Sequence, residues 1–291
     1  MLTWSNFVSQ LFNGLASGTL LALISVGLTI IYGTLGVLNL AHGALFMLGG
    51  YAGYVGYSAT GSYLVAVASG AIFVLLLGLV LEWGLIRHFY RRPAEDQILL
   101  TFGLGIVIVE LVRLAFGSLS KSMPPPSWAS GITSLGFMIY PTYRIAVMII
   151  AAVTLLILYL ALYRTRLGMV VRAGIEDATM VNILGIDIYR VFLVVFGIGA
   201  MAAGYAGIVN MPVVSLTPDI GDGILVQTFV VVVIGGVGSF FGAIVGGLLA
   251  GEILSLTSMF NPAYSQVMLF ATMTVVLVLR PQGLWGTRGR E

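Results

Sequence analysis

Charge is what this 291-residue sequence lacks most. Only 8% of its residues are Asp, Glu, Lys or Arg, and none of these occurs before Glu82. A soluble globular domain carries roughly 25% charged residues, because its surface faces water. Hydrophobic residues make up 59% of the chain, so the composition excludes a soluble protein and indicates an integral membrane protein.

Further absences exclude several kinds of chemistry. The sequence has no cysteine, which excludes disulfides, thiolate metal sites and cysteine nucleophiles. Its single lysine, Lys121, lacks the preceding glycines of a P-loop, and its two histidines, His42 and His88, form no HExxH motif. No Gly-x-Ser-x-Gly motif occurs either. We therefore expect no catalytic residues and no metal site, and we expect that the protein is not an enzyme.

The apolar runs predict an all-α, polytopic membrane helix bundle. A spanning helix needs about 20 mostly apolar residues, and about eight to nine segments fit: 7–32, 36–57, 62–86, 98–117, 144–163, 191–210, 224–236, 238–257 and 265–279. Two of these regions are interrupted, one near 36–57 by polar residues and glycines, the other near 224–257 by glycines. Irregular backbone at membrane depth is tolerated only where protein or a water-filled cavity satisfies it. Both regions are therefore predicted to lie inside the bundle.

The basic residues predict the orientation. Ten of the thirteen lie in three clusters: Arg87, Arg91 and Arg92; Arg164, Arg166, Arg172 and Arg190; and Arg280, Arg288 and Arg290. By the positive-inside rule these clusters are cytoplasmic, and so is the C-terminus. The loops 118–143 and 211–223 then lie outside. The N-terminal segment carries no charge, so the rule does not predict on which side of the membrane it begins. A net charge of +2 spread over such clusters gives no indication of a nucleic-acid partner.

Polar residues within the apolar segments are candidates for function, because they are costly to insert into a membrane. Asn39 is expected to cap a helix that begins at about residue 40, with His42 in its first turn. Such a helix N-terminus at membrane depth suits an anionic carboxylate. The alternative is structural, with Asn39 only a cap and His42 a hydrogen-bonded core histidine.

Charged residues within the segments have structural alternatives as well. Glu110 and Arg113 are three positions apart, so they are neighbours on one helix and are predicted to form an intramembrane ion pair. The structural alternative is that the two charges simply neutralise each other and have no role in transport. Glu252 lies in a glycine-rich segment, where a proton-relay role is possible although no partner is evident.

Residues 164–190 form a connection with an amphipathic pattern of its own. Its predicted apolar face comprises Val170, Val171, Met180, Val181, Ile183 and Leu184. A loop this long is more than a simple connector requires. An apolar face outside the bilayer lies on another chain or on the membrane surface, and the mixture of Glu and Asp with Arg favours a partner chain.

Three stretches carry a resemblance to a known family: GVLNLAHGALFMLGGYAG (36–53), RTRLGMVVRAGIEDATMVNILGIDIYRV (164–191) and GGVGSFFGAIVGGLLAGEI (235–253). Through the patterns N-x-A-H-G, R-A-x-x-x-D and G-G-x-G-S-x-x-G-A, the sequence resembles the LivH-type permeases of branched-chain amino acid ABC importers. The similarity runs over nearly the whole chain. The total length favours the LivH type over the LivM type.

This resemblance implies a single transmembrane permease domain over 1–291, in the inner membrane of a bacterial cell. The implied substrates are leucine, isoleucine, valine or related small polar solutes. The implied partners are a second, LivM-like permease, two cytoplasmic ATPases and an extracytoplasmic solute-binding protein. ATP would bind to the ATPases, so this chain would carry no cofactor of its own.

The resemblance also implies roles for particular residues. The 164–190 loop resembles the cytoplasmic coupling region that docks into a groove on the ATPase, with candidate contacts at Arg172, Ala173, Glu176, Asp177, Ala178, Leu184 and Gly185. Alternating access would move 36–57 against 224–257. The candidate substrate-path residues there are Asn39, His42, Gly43, Gly236, Ser239 and Gly242.

One alternative of a different class stays open. A self-sufficient secondary transporter or channel for a small polar solute would use Glu252 or His42 as its proton-handling group. Such a protein would transport without any ATPase, whereas a permease subunit would depend on its partners.

Overall fold

The computed structural model describes residues 4–134, 136 and 138–286, and these residues are almost entirely helical. The helices are α1 (Trp4–Leu35), α2 (His42–Thr60), α3 (Tyr63–Gly84), α4 (Ala94–Phe116), α5 (Thr142–Arg164), α6 (Arg166–Glu176), α7 (Ala178–Ile183), α8 (Ile188–Asn210), α9 (Ile220–Gly235), α10 (Phe240–Phe260) and α11 (Ser265–Leu279). Short 3₁₀ turns occur at Ile86–Phe89, Ser127–Ala129 and Pro262–Tyr264. The strands β1 (Ile132–Ser134) and β2 (Ile139–Pro141) pair as an antiparallel hairpin, with Thr133 opposite Tyr140.

The prediction of an all-α polytopic membrane bundle is confirmed. Seven helices in the described ranges are long and apolar enough to span a membrane: α1, α3, α4, α5, α8, α10 and the 262–279 segment that contains α11. The shorter α9 and the partly polar α2 complete the bundle. Of the arginines used to predict its orientation, Arg288 and Arg290 lie outside the described residues.

The predicted interruption near 36–57 is present, but the helix begins later than expected. Residues 36–41 are not helical, and α2 starts at His42 rather than at about residue 40. Its N-cap residue is Ala41, not Asn39. The Asn39 carboxamide oxygen instead accepts a hydrogen bond from the amide of Ala41, at 3.1 Å. The Thr101 hydroxyl fixes the same segment, because it donates to the carbonyl of Leu38 and accepts from the amide of Leu40.

Glycines allow the central helix α1 to pack closely against α10. A Cβ atom on Gly18 would lie 3.0 Å from the carbonyl oxygen of Gly247, and one on Gly247 would lie 2.5 Å from the amide nitrogen of Ala22. Side chains larger than hydrogen would therefore force the two backbones apart. This is how helices associate in lipid, where no hydrophobic driving force acts between them.

The bundle has two distinct ends. At the arginine end, the ring of Tyr163 near the end of α5 contacts Phe240 at the start of α10, with ring centroids 6.0 Å apart. Tyr90, in the turn between α3 and α4, stacks there on Tyr189 at the start of α8. At the opposite end, called the hairpin end, the hydroxyl of Tyr140 in β2 donates to Asn13 in α1. The first turns of α1 therefore lie at the end remote from the arginine clusters.

Candidate functional site

A cavity of about 520 Å³ lies in the half of the bundle nearer the hairpin end. Five helices and the segment after α8 supply most of its wall, and α2 adds one residue. Its polar lining consists of Gln10, Asn13, Ser17, Arg144, Asn210, Gln227, Ser255 and Ser258, and its apolar lining includes Leu20, Leu21, Ile24, Phe46, Val147, Ile224 and Leu254. A mostly apolar concave site with a few polar groups is the usual form of a small-molecule site, and this volume lies in the usual range.

The polar residues on one side of the cavity are connected to one another by hydrogen bonds. The side-chain oxygen of Asn13 accepts from the guanidinium of Arg144 and, at 3.0 Å, from the hydroxyl of Tyr140. The Asn13 amide nitrogen donates to the side-chain oxygen of Gln10 at 3.3 Å, which also accepts from the hydroxyl of Ser255 at 2.8 Å. The network joins β2, α5, α1 and α10, so it fixes the position of each polar group in the wall.

Tyr140 acts as a donor in this network. Burial raises the pKa of its phenol above the usual tyrosine value, although the neighbouring Arg144 guanidinium opposes the shift. Tyr140 therefore keeps its proton at neutral pH and donates it to Asn13. The oxygen of Asn13 is thus occupied by two donors.

Among the described residues that line the cavity, Arg144 is the only charged one. Within the described part of the chain it forms no ion pair with an acidic side chain; its guanidinium donates to Asn13 and also interacts with the hydroxyl of Tyr140. Asn210 and Gln227 also line the cavity, and their side chains form no hydrogen bond with any described residue. These polar groups are therefore available to a ligand.

The floor of the cavity is formed by Ile24 and Phe46, and His42 lies one helical turn below Phe46. The ring of His42 is fully buried, and its Nε2 lies 3.0 Å from the carbonyl oxygen of Ile24. Its Nδ1 has no hydrogen-bond partner among the residues described, and neither does the amide nitrogen of the buried Asn39. The predicted path residues His42 and Asn39 thus lie beneath the cavity and not in its wall.

The other predicted path residues lie in helix contacts. Gly43 faces α9, where a Cβ atom on it would lie 2.9 Å from the Cβ atom of Leu225. Gly236 ends α9 with a positive φ of 101°, and the hydroxyl of Ser239 caps α10 by accepting from the amide of Gly242 at 3.0 Å. The α9–α10 turn lies at the arginine end. The structure therefore does not bring these residues together with the cavity wall, and their role in the path stays a prediction.

Two of the ion-pair clusters outside the cavity lie at opposite ends of the bundle. At the hairpin end, the guanidinium of Arg113 contacts Glu110 on the same helix and Asp219, at 2.6 Å, before α9. At the arginine end, the fully buried carboxylate of Glu82 accepts from Arg87 at 2.9 Å and from the hydroxyl of Tyr90 at 2.5 Å. Both clusters are largely self-neutralised, and neither lines the 520 Å³ cavity.

The 164–190 loop lies at the arginine end as two helices, α6 and α7. The carboxylate of Asp177 caps α7 by accepting from the amides of Thr179 and Met180, and Gly185 follows α7 with a positive φ of 83°. The guanidinium of Arg172 lies 5.3 Å from the ring centroid of Tyr163 and donates to the carbonyl of Leu162. This contact ties α6 to the end of α5.

The predicted apolar face of this loop is divided between two surfaces. Val171 and Val181 are buried against the bundle, whereas Met180, Ile183 and Leu184 are exposed. The expectation of one common face was therefore wrong, because the loop has an inner apolar side as well as an outer one. The predicted coupling residues Arg172, Ala173, Glu176, Asp177, Leu184 and Gly185 are all exposed, and Ala178 begins α7.

Sequence reasoning missed the polar wall of the cavity. Gln10, Asn13, Asn210 and Gln227 are scattered amides whose proximity depends on the packing of α1, α8 and α9. Arg144 could have been identified from the sequence, since it lies at the start of an apolar helix on the side predicted to carry few positive charges. No acidic residue within four positions neutralises it.

The family model described as "Branched-chain amino acid transport system / permease component" matches residues 10–277. The high-affinity branched-chain amino acid transport system permease protein LivH of Salmonella typhimurium is 31% identical over 96% of each chain. BraD of Pseudomonas aeruginosa, also a permease protein of such a system, is 30% identical over 97% of this chain and 96% of its own length. The permease protein LivM of Escherichia coli is 26% identical over 97% of this chain and 71% of its own length. No solved structure matches the chain.

Proposed function

The chain belongs to the family of branched-chain amino acid permease components, and we propose that it is the membrane-spanning subunit of an ABC importer. Its substrates are leucine, isoleucine, valine or related small polar solutes. The energy comes from ATP bound to separate ATPase subunits, because the sequence contains no P-loop of its own.

The orientation follows from the positive-inside rule. The described arginine clusters lie at one end of the bundle, so that end faces the cytoplasm of a bacterial cell, together with the C-terminus. The hairpin end then faces outwards. Since the first turns of α1 contact Tyr140 and Arg144 there, the N-terminal end of α1 is extracytoplasmic.

The observation that carries the proposal is the position of the 520 Å³ cavity. It lies in the outward half of the bundle, its lining includes the exposed residues Ser17 and Val214, and it ends at the floor of Ile24 and Phe46. A site that is open on one side and closed on the other is what alternating access requires in one of its states. The cavity therefore supports an outward-facing state of a transporter.

The exposed outer side of α6 and α7 is the proposed ATPase contact. Ile183 and Leu184 are among the most exposed apolar side chains on it. Exposed apolar residues on a cytoplasmic loop favour a protein partner, since water would otherwise surround them. Asp177 and Gly185 shape this surface by starting and ending α7.

The connectivity offers a route for coupling. The loop connects α5 to α8, and both helices carry cavity-lining residues at their far ends, Arg144 in α5 and Asn210 in α8. The contact of Arg172 with Tyr163 attaches α6 to the end of α5, and the side-chain oxygen of Asn182 in α7 accepts from the amide of Ile188 in α8 at 3.1 Å. Movement of α6 and α7 by the ATPases would therefore reach the cavity wall.

In the opposite state, a path past the floor would involve the residues predicted from sequence, Asn39, His42, Gly43, Gly236, Ser239 and Gly242.

The extracytoplasmic solute-binding protein would dock on the hairpin end. The loops 118–143 and 211–223 form one surface there, because the backbones of Lys121 and Leu216 exchange hydrogen bonds of 2.9 and 2.8 Å. Arg113 and Asp219 add an ion pair beside it. A second permease is the remaining partner, and the similarity of this chain to LivM of Escherichia coli supports a pair of related subunits.

The test is to purify the tagged full-length chain gently from its native membrane and identify the proteins that accompany it. Two P-loop ATPases and a second permease are the expected companions. The purified assembly, with its solute-binding protein, should then take up leucine into proteoliposomes only when ATP is supplied. ATP-independent uptake by the chain alone would overturn the proposal and support the secondary transporter or channel.

A further inference from the structure

We infer that the cavity holds the carboxylate of its substrate on the guanidinium of Arg144 and the substrate's aliphatic side chain on the apolar floor. This inference rests on the proposed function, since it names the groups that would hold the solute in the outward-facing state.

The charge of Arg144 is unbalanced in the described structure. The residue lies in the first turn of α5, where a cation opposes the positive end of the helix dipole. No described acidic side chain lies within ion-pair distance of it. Arg144 is half-buried in the cavity wall, where an anion can reach it. A bound anion would supply the missing charge.

The network holds Arg144 in place and leaves N–H groups of its guanidinium free for a ligand. A guanidinium carries five N–H groups; this one donates to Asn13 and interacts with the hydroxyl of Tyr140. The Asn13 oxygen also accepts from Tyr140, and its amide nitrogen is directed to Gln10. Because Asn13 cannot rotate without breaking these bonds, Arg144 is positioned for a carboxylate, which guanidinium groups bind through two parallel hydrogen bonds.

The rest of the lining suits the remaining groups of the ligand. None of the described residues that line the cavity is acidic, but the amide oxygens of Asn210 and Gln227 have no partner in the described structure and can accept hydrogen bonds from an ammonium group. Below them, Leu20, Leu21, Ile24 and Phe46 present an apolar surface. An aliphatic side chain gains free energy there by leaving water. A cationic side chain would meet only Arg144 as a charged neighbour and is therefore excluded.

The test measures binding of leucine and of leucinamide, which lacks the carboxylate, to the purified permease assembly. The solute-binding protein is left out, since it would bind leucine itself. Isothermal titration should show leucine binding to the wild type roughly ten- to one-hundred-fold more tightly than leucinamide, as expected for hydrogen bonds to a charged group. Arg144→Gln should weaken leucine binding by a similar factor and abolish the preference over leucinamide, while Arg144→Lys should restore part of both.

The matched control is Lys121→Gln, which removes a positive charge from the same end of the bundle but outside the cavity; it should leave both affinities unchanged. Equal binding of leucine and leucinamide by the wild type would overturn the inference, even if Arg144→Gln failed to fold. Unchanged leucine affinity in a folded Arg144→Gln assembly would also overturn it. Either result can occur together with ATP-dependent uptake, whereas the absence of ATPases from the purified assembly would contradict the proposed function itself.

Discussion

The Nε2 atom of His42 lies 3.0 Å from the carbonyl oxygen of Ile24. A carbonyl oxygen only accepts hydrogen bonds, so Nε2 carries the hydrogen and the ring donates. The bond joins the first residue of α2 to the middle of α1, directly below the floor of the cavity. It fixes the start of the interrupted helix at a position where the His42 ring is fully buried.

Replacing His42 tests this contact. His42→Ala removes the hydrogen bond and leaves a void at a fully buried position, so we expect the free energy of unfolding to fall by about 2–4 kcal/mol. His42→Gln, which retains a donor, should lose less. Denaturant titration in detergent micelles measures both variants. Equal losses for the two would contradict a structural role for the hydrogen bond.

Replacing Gly43 by alanine tests the close packing of α2 against α9. In Gly43→Ala the new methyl group would lie 2.9 Å from both the carbonyl carbon of Gly221 and the Cβ atom of Leu225, so we expect a loss of about 1–3 kcal/mol in stability from overpacking. Gly103→Ala in α4 is the matched control, because a Cβ atom there meets no atom within 4 Å. This control should be neutral or stabilising by up to about 1 kcal/mol, since alanine favours helices. Thermal unfolding in detergent distinguishes the two.

The raised pKa of Tyr90 predicts that the stability of the fold depends on pH in the alkaline range. Burial and the hydrogen bond to Glu82 raise the pKa of Tyr90 above the usual tyrosine value. The folded state therefore keeps this proton more tightly than the unfolded state, and the resulting stability is present below about pH 10 and is lost as the pH rises further. Tyr90→Phe should lower the melting temperature at pH 7, and the gap to the wild type should close above pH 10. A gap that stays constant over this range would contradict the prediction.

Ile183 tests the proposed ATPase contact. Its side chain is 74% exposed on the outer side of α7, so Ile183→Asp should leave the fold intact while placing a charge in the interface. We expect recovery of the ATPases with the tagged chain to fall by about tenfold or more, as for a hot-spot residue. Ile132→Asp is the control, because Ile132 is 72% exposed at the hairpin end. Equal ATPase recovery with both variants would place the docking surface elsewhere.

The sequence allowed most of the fold to be predicted, because membrane insertion imposes long apolar segments. The predicted segment 144–163 lies within the observed helix Thr142–Arg164 and falls short of it by two residues at one end and one at the other. The glycine pattern near residues 235–238 correctly indicated a break, since Gly236 and Gly238 both adopt positive φ. Local signals of this kind depend only on neighbouring residues.

The cavity could not be predicted in this way. Its polar network joins Gln10 to Ser255 and Asn13 to Arg144, pairs that are far apart in the sequence and meet only because α1 packs centrally. The glycine contact between α1 and α10 brings the first of these pairs together. The amide side chains follow no periodic pattern in the sequence, so their common position in the cavity wall is seen only once the packing of the helices is known.

The coupling loop lies between two helices, α5 and α8, of 23 residues each. Each is a stiff rod about 35 Å long, so a tilt of about 5° about its loop end would displace its cavity end by about 3 Å. That distance is comparable to the length of a hydrogen bond. Arg144 and Asn210 lie at the cavity ends of these two helices. A small motion on the cytoplasmic side would thus be enough to separate their side chains from a bound solute.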